Sequence, residues 1–538
     1  MNQNLTKICA TIVATGMLLT TGAIGADLRI GLKTESSSID PHYRLVEQNN
    51  LVRMHIFESL VRMNNEQTVV PGLAESWRVI DDKTWEFKLR KGVKFHNGAA
   101  FTANDFVYTV CRIPNVLGVT KAAFVRYIRP IKSIETPNPH TLIIRTKTPY
   151  AMLLNELSTF GIVSAKTMGV DRTLTFDGKG CGIKNWPETV DFNNGKLAQG
   201  TGPFKFVSYV RKDRITLVRN DEYWGIKPDW DRVTLRPINN SGSRMAALLA
   251  GDVDIVDVPP PQDIARLKKD PKFEVAVAPS QIFIYLQFEH HVEPAPGITG
   301  TNGKNPFRDK RVRKAFSMAL DRQAIVDRIM LGYAEVATNV MGSVYLGHNH
   351  DLKGERFDAT GAKNLLASAG YANGFNVIMG VTTDRYFNDK KIGLAVAQML
   401  SRIGIGMELD AAPYAVYRKN WRGSKFGFFQ GGLAVSSADM AHTLRALVGT
   451  KRAGPGFGVV NTGHYTNPEF DKLVNQALVV LDPEKRDELL QQANRIVMED
   501  YGIVPVLHPM NTWAFRKGLE FKSRTDAITL AVNVKSAR

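Results

Sequence analysis

The chain has 538 residues, with 69 Lys and Arg against 52 Asp and Glu and a hydrophobic content of 44%. Its 44 Gly, 25 Pro and 22% charged residues are ordinary for a globular protein and exclude collagen, coiled coil and disorder as overall descriptions, while the length suggests about three to four folding units. The formal charge of +17 is scattered rather than gathered into runs, so it reads as a solvated basic surface and not as a nucleic-acid footprint.

Met1–Lys7 carries a single charge, Lys7. Ile8 to Ala26 carries none and ends in Gly22-Ala23-Ile24-Gly25-Ala26, directly before Asp27. Basic, then apolar, then small is the order of a secretory signal peptide, with cleavage expected after Gly25 or Ala26. Cys9 precedes the apolar run, so it is not a lipid-modified first residue of the mature chain. Beyond this segment no stretch approaches the roughly 18–20 uncharged apolar residues of a spanning helix. The mature protein is therefore expected free in the periplasm. In that oxidising compartment the two remaining cysteines, Cys111 and Cys181, are candidates for a disulfide, and two separately buried thiols are the alternative.

Strand-like and helix-like segments alternate from there on. Leu28–Leu32 reads as a short strand, followed by a loop over 34–41 and a helix around Glu47–Leu60. Thr84–Leu89 alternates with period two, as a half-buried strand does. Thr102 is placed as an N-cap with Asp105 three residues on, opening an apolar helical face through Phe106, Val107 and Val110. Asp309–Gly332 is the clearest helical pattern, with Val312, Ala315, Phe316, Ala319, Leu320, Ile325 and Ile329 at helical spacing. Further helices are expected over Lys391–Ile403 and Pro483–Asp500, and strands over Phe375–Val381 and Phe426–Gly431. The chain is α/β, with a sheet order that periodicity does not give.

Catalytic signatures are missing. There is no H-E-x-x-H, no G-x-x-x-x-G-K-[ST] and no G-x-S-x-G. Gly454-Pro455-Gly456-Phe457-Gly458 lacks the spacing of a dinucleotide loop. His290-His291 and His348-Asn349-His350 are framed by no Cys or carboxylate at ligand spacing, so no metal site and no cofactor are expected. An exported chain of this size without catalytic residues fits a carrier better than an enzyme.

Trp85-Glu86-Phe87-Lys88-Leu89-Arg90-Lys91-Gly92-Val93-Lys94-Phe95-His96-Asn97-Gly98, continuing through Phe101-Thr102-Ala103-Asn104-Asp105, resembles the F-x-L-R-x-G-V-x-F-H-[DN]-G…T-A-x-D signature of the family 5 extracellular solute-binding proteins of ABC importers. Pro71–Trp77, Gly200–Phe204, Arg219–Gly225, Leu249–Ile255, Asp309–Ala315 and Ala362–Tyr371 follow the family's order, so the likeness runs from about residue 28 to 515. In physical terms the signature is mostly scaffold: Gly92 and Gly98 suit turns needing a permissive backbone, and Val93 and Phe95 alternate as a buried strand face.

The resemblance implies an α/β, two-lobe periplasmic-binding-protein architecture (type II, cluster C-like) closing about a hinge. The first lobe would span 27–285, with an inserted subdomain at about 65–195. The second lobe would span 286–505, and a tail, 506–538, would return to the first. It further implies a monomer that encloses a peptide or peptide-sized carboxylated solute and presents it to an inner-membrane ABC permease with cytoplasmic ATPase subunits. Opine-like conjugates and nickel- or haem-type ligands are alternatives within the family, and an exported hydrolase is the alternative outside it.

Within the cleft so implied, Arg385, in Thr382–Asn388, matches the Arg that takes the peptide carboxylate, and a guanidinium fork suits that group. A surface pairing of Arg385 with Asp384 or Asp389 is the competing reading. The family's G-W-x-G-D stretch, whose Asp holds the peptide ammonium, corresponds to Gly432–Ser436. Leu433 stands for the Trp and Ser436 for the Asp, which leaves Asp439 or Glu35 as the acids within reach. Tyr414, with Tyr417 and Trp421 at spacings of three and seven, supplies candidate aromatic contacts or, equally, a core-facing helix stripe. Ser36, Ser37 and Ser38 fall where the family offers hydrogen bonds from the first lobe.

Overall fold

The computed structural model describes residues 26–116, 124–434, 439–454 and 456–537. The leader and Ser436 lie outside the described residues. Asp27–Leu32 buries Leu28, Ile30 and Leu32 on one face and runs parallel to Arg232–Pro237 and to Ile255–Asp257. Arg214–Arg219 and Phe204–Val210 extend the sheet antiparallel. One apolar core gathers residues from Leu28 to Ala278 with Trp513 to Val534, so the C-terminal segment packs back onto the first lobe.

A separate antiparallel sheet orders Ala74–Asp81, Thr84–Leu89, Thr141–Thr146 and Ile131–Asn138. Helix Ala103–Arg112 begins at Thr102, whose N–H donates to the Asp105 carboxylate at 2.7 Å. The second Asp105 oxygen accepts from Ala165 N–H at 2.8 Å. Cys111 is bonded to Cys181 with the Cα atoms 6.0 Å apart. The neighbouring Arg112 grips Asp40 with two hydrogen bonds of 2.8 and 2.7 Å, both side chains being fully buried. Gly98 takes φ +84°, where a side chain would be strained. Gly200 and Gly202 back onto the end of helix Glu47–Ile56 so closely that a Cβ on either would overlap its last carbonyls.

In the second lobe, Phe375–Thr382 runs parallel to Ile405–Ala412 and to Phe428–Ala434, which pairs antiparallel with Ile282–Phe288 along its whole length. Phe288, Phe307, Phe316, Phe375 and Phe428 stack into its core. The expected helix Asp309–Gly332 is two pieces: Lys310–Met318, then Arg322–Ala324 leading into a π-helical turn, Ile325–Ile329. Asp321 caps the second piece by accepting Ala324 N–H at 2.9 Å. Both pieces bury residues in the same core, so the apolar spacing runs on across the break. A second apolar cluster packs Met440–Leu447, Pro468–Val479 and Pro483–Glu499 around Met152 of the first lobe.

Two stretches of chain cross between the lobes side by side. Phe273–Pro279 belongs to the first-lobe sheet, and Ser280-Gln281 lead directly into Ile282–Phe288 of the second. The long strand Val504–Arg516 pairs through residues 504–509 with Ile282–Phe288 and Ala334–Val336, and through 510–516 with Phe273–Pro279. Strand pairing thus sets the two crossings near 280 and 510. No helix of the described residues is long and apolar enough to cross a membrane.

Candidate ligand-binding cleft

A cavity of about 1490 Å³ opens between the lobes, directly over the two crossings. Its first-lobe wall is one side of helix Glu47–Ile56 with Phe57 and Glu58, flanked by Tyr223 and Trp224. Arg385, Tyr386, Phe387 and Tyr414 form the opposite wall. Ser280, Gln281, Leu507, Pro509 and Met510 make the floor. Such a volume exceeds that of a drug-sized pocket and suits an extended solute.

Seven cationic side chains line the cavity against four carboxylates, and the carboxylates are largely spoken for. Glu47 is paired with Lys33 at 3.0 Å, and Asp526 with Arg524. Glu58 is buried and accepts from Trp224 Nε1 (2.6 Å), the Tyr223 hydroxyl (2.9 Å) and Thr201 (3.0 Å). Burial pushes its carboxyl upward against those donors. Asp384 accepts the Tyr414 N–H at 2.7 Å.

Arg385 follows strand Phe375–Thr382, in a turn organised by buried Asp389. One Asp389 oxygen accepts from the Thr382 hydroxyl and from the backbone N–H of Arg385 and Tyr386, the last two at 3.1 Å. With Asp389 closing the turn and Asp384 opening the helix Tyr414–Arg422, neither is a counter-ion: among the described residues the Arg385 guanidinium meets no carboxylate at ion-pair distance. It lies 4.2 Å over the Tyr414 ring and 5.5 Å from that of Tyr386, a cation held in place by aromatic faces.

The other residues singled out from sequence lie away from the cavity wall. Asp439 is 2% exposed, ion-paired with Arg486 at 2.6 Å, and caps helix Met440–Leu447 through Ala441 N–H. Tyr417 is buried, stacks on Phe426 and donates its hydroxyl to Gln430 O at 2.8 Å, and Trp421 packs on the same small cluster. Leu433 turns to the helical cluster around Met440. Ser36, Ser37 and Ser38 are bound up in their own loop: Asn49 Oδ1 accepts from Ser36 Oγ and Ser37 N–H, and Ser38 Oγ donates to Asn193. Lys33 and Thr34 take their place in the wall. Glu35 accepts from Tyr209 and Lys212. Of the candidate contacts, the structure brings Arg385 and Tyr414 together at the cleft.

Among the described residues no three His, Cys, Asp or Glu side chains gather as a metal-binding group. His290 lies against Gly502 O, and His348 against Met341 O.

A model of the bacterial extracellular solute-binding proteins, family 5 (middle region), matches residues 68–455. The chain belongs to that family. This family 5 protein is 28% identical over 481 residues to heme-binding protein A of Haemophilus influenzae, covering 85% of this chain and 82% of that one. It is 29% identical over 478 residues to di/tripeptide-binding protein 1 of Pseudomonas aeruginosa, covering 84% and 83%. Among solved structures it resembles HbpA2 from Haemophilus parasuis, with a TM-score of 0.79 at 25% identity over 95% of this chain and 99% of that one. The peptide-bound DppA from Helicobacter pylori shares the fold, with a TM-score of 0.73 at 24% identity over 96% and 98%.

Sequence reasoning missed Arg53, Asn50 and Glu58 in the first-lobe wall of this family 5 protein. Each sits on or just after a helix whose apolar spacing gives no sign of which polar positions face a partner lobe.

Proposed function

We propose that this protein is the periplasmic binding component of an ABC importer for peptides or peptide-sized solutes bearing a free carboxylate. The relatives named for peptides, the cleft between two lobes and the paired crossings near 280 and 510 support it. Closure about those crossings encloses the ligand and presents the loaded form to a permease with its ATPase subunits, and the ligand leaves chemically unchanged.

The observation that carries the reading is Arg385: a guanidinium facing the cleft, braced on Tyr414 and without a carboxylate of its own. Tyr386 and Tyr414 add flat apolar area beside it. Desolvation on closure strengthens each polar contact made inside.

The test is titration calorimetry with a library of di- to pentapeptides as free acids and as C-terminal amides. Arg385→Ala is expected to weaken the free acids by about 1.5–3 kcal/mol, the scale of a hydrogen bond to a charged group, and to leave the amides unaffected. Equal affinities for acid and amide in the unaltered protein refute the assignment of Arg385. Mass spectrometry after prolonged incubation checks that the peptide is returned intact.

A further inference from the structure

Arg53 is 5% exposed, yet it lines the interlobe cavity. Its Nε is fully buried and meets no acceptor, and none of its other N–H donors is taken by a described residue. The carboxylate whose charge acts on it is that of Asp526. That carboxylate is already engaged by Arg524 through two hydrogen bonds, of 2.9 and 2.5 Å, and by Ile528 N–H. One turn earlier on the same helix face, Asn50 also lines the cavity, and its buried Oδ1 is likewise without a partner. A buried cation lacking both a counter-ion and hydrogen bonds is among the costliest arrangements a fold can hold. Here burial pulls the guanidinium down to about 10. An unmet guanidinium on the cavity wall calls for an acceptor on the guest, and the unmet Asn50 Oδ1, itself an acceptor, calls for an N–H or O–H of that guest.

We infer that Arg53 forms a second anion subsite, on the first lobe, that takes a carboxylate other than the one held by Arg385, so that the solute of this protein carries two acidic groups, with Asn50 Oδ1 beside it accepting from an N–H of the same solute. This rests on the reading of the cleft as a site for peptide-sized carboxylated solutes. The guanidinium presents several N–H donors in one plane, which is the geometry a carboxylate uses. The cavity's excess of cations over carboxylates favours the same sign of guest. Because the two arginines lie on opposite lobes, a solute with two carboxylates bridges the closed form, and a singly charged one leaves Arg53 unmet.

The experiment compares tripeptides carrying Glu at the first or second position with their Gln twins, which differ in one charge at nearly equal shape. Binding is measured by titration calorimetry to the unaltered protein, Arg53→Gln and Arg385→Ala. The expected result is that a Glu peptide binds about 10- to 100-fold more tightly than its twin, and that Arg53→Gln abolishes this preference. Arg385→Ala should weaken both twins alike. Without ligand, Arg53→Gln is expected to melt at or above the temperature of the unaltered protein, since it removes an unmet buried charge. Equal binding of the twins, a preference that survives Arg53→Gln, or an Arg53→Gln variant that melts lower or fails to fold overturns this inference while leaving the peptide reading in place. If none of these peptides, nor any member of the di- to pentapeptide library, binds, the peptide reading falls and this inference falls with it.

Discussion

Asp439→Ala distinguishes a ligand-binding acid from a structural one. The Asp439 carboxylate serves two partners at once. One oxygen accepts Arg486 Nη2 at 2.6 Å, with side-chain exposures of 3% and 7%, and the other accepts the first free N–H groups of helix Met440–Leu447. Removing it leaves Arg486 buried with a backbone carbonyl, Ala477 O, as its remaining acceptor. Breaking one side of a buried ion pair costs about 3–5 kcal/mol and losing an N-cap about 1 kcal/mol. One carboxylate does both, so the two penalties overlap and the loss is expected at about 4 kcal/mol. Urea unfolding followed by tryptophan fluorescence measures it. The double variant Asp439→Ala with Arg486→Met should recover at least half of the loss, because an apolar replacement of a whole buried pair is close to neutral. Peptide affinity, measured where Asp439→Ala is fully folded, should not change. A stability loss below about 1 kcal/mol, or a folded variant that binds peptide less well, refutes the structural assignment.

Replacing both Cys111 and Cys181 by Ser should cost about 4 kcal/mol on the loop-entropy model for a separation of 70 residues, seen as lower resistance to urea without loss of ligand binding; equal unfolding curves refute it. The pH dependence of stability should trace to Glu156, whose burial against Tyr150, with Arg445, Arg126 and Asp439 nearby, pushes its carboxyl up to about 8. The folded chain then keeps a proton that the unfolded chain has released, so stability falls as pH rises from the usual glutamate range to about 8. His442, pulled down to about 4 by burial, acts in the opposite sense below neutrality, where the unfolded chain takes up the proton first. Melting temperatures recorded from pH 6 to 9 should decline less steeply for Glu156→Gln than for the unaltered protein, and parallel declines refute the assignment.

How much was legible in the sequence follows from how local each signal is. Thr102 and Asp105 announce a helix start because the capping hydrogen bonds are made within four residues. Thr84–Leu89 is a strand as its alternation says, though buried at every position but Lys88 rather than on one face, and Arg385, singled out by its likeness to the family's arginine, sits in a turn fixed by neighbours from Thr382 to Asp389. The pattern fails where one periodicity serves two ends. Tyr414 and Tyr417 stand three apart on one helix, yet the first faces the cleft and the second the Phe426 cluster, because the helix lies between the two. Asp439 matches an acidic position in the family's loop, but an acid immediately before a helix is also an N-cap, and buried Arg486, 47 residues later, decides between the two roles. Arg53 is the extreme case: inside an amphipathic helix an Arg reads as solvent-facing. Its burial exists only once segments far along the chain, around Gly161 and Asp526, have packed beside that helix. The residues that line the cleft are thus brought together from segments hundreds of positions apart, while those that build each element are set by neighbours. It follows that relatives can share this scaffold at 26–29% identity and still carry different names for what they bind.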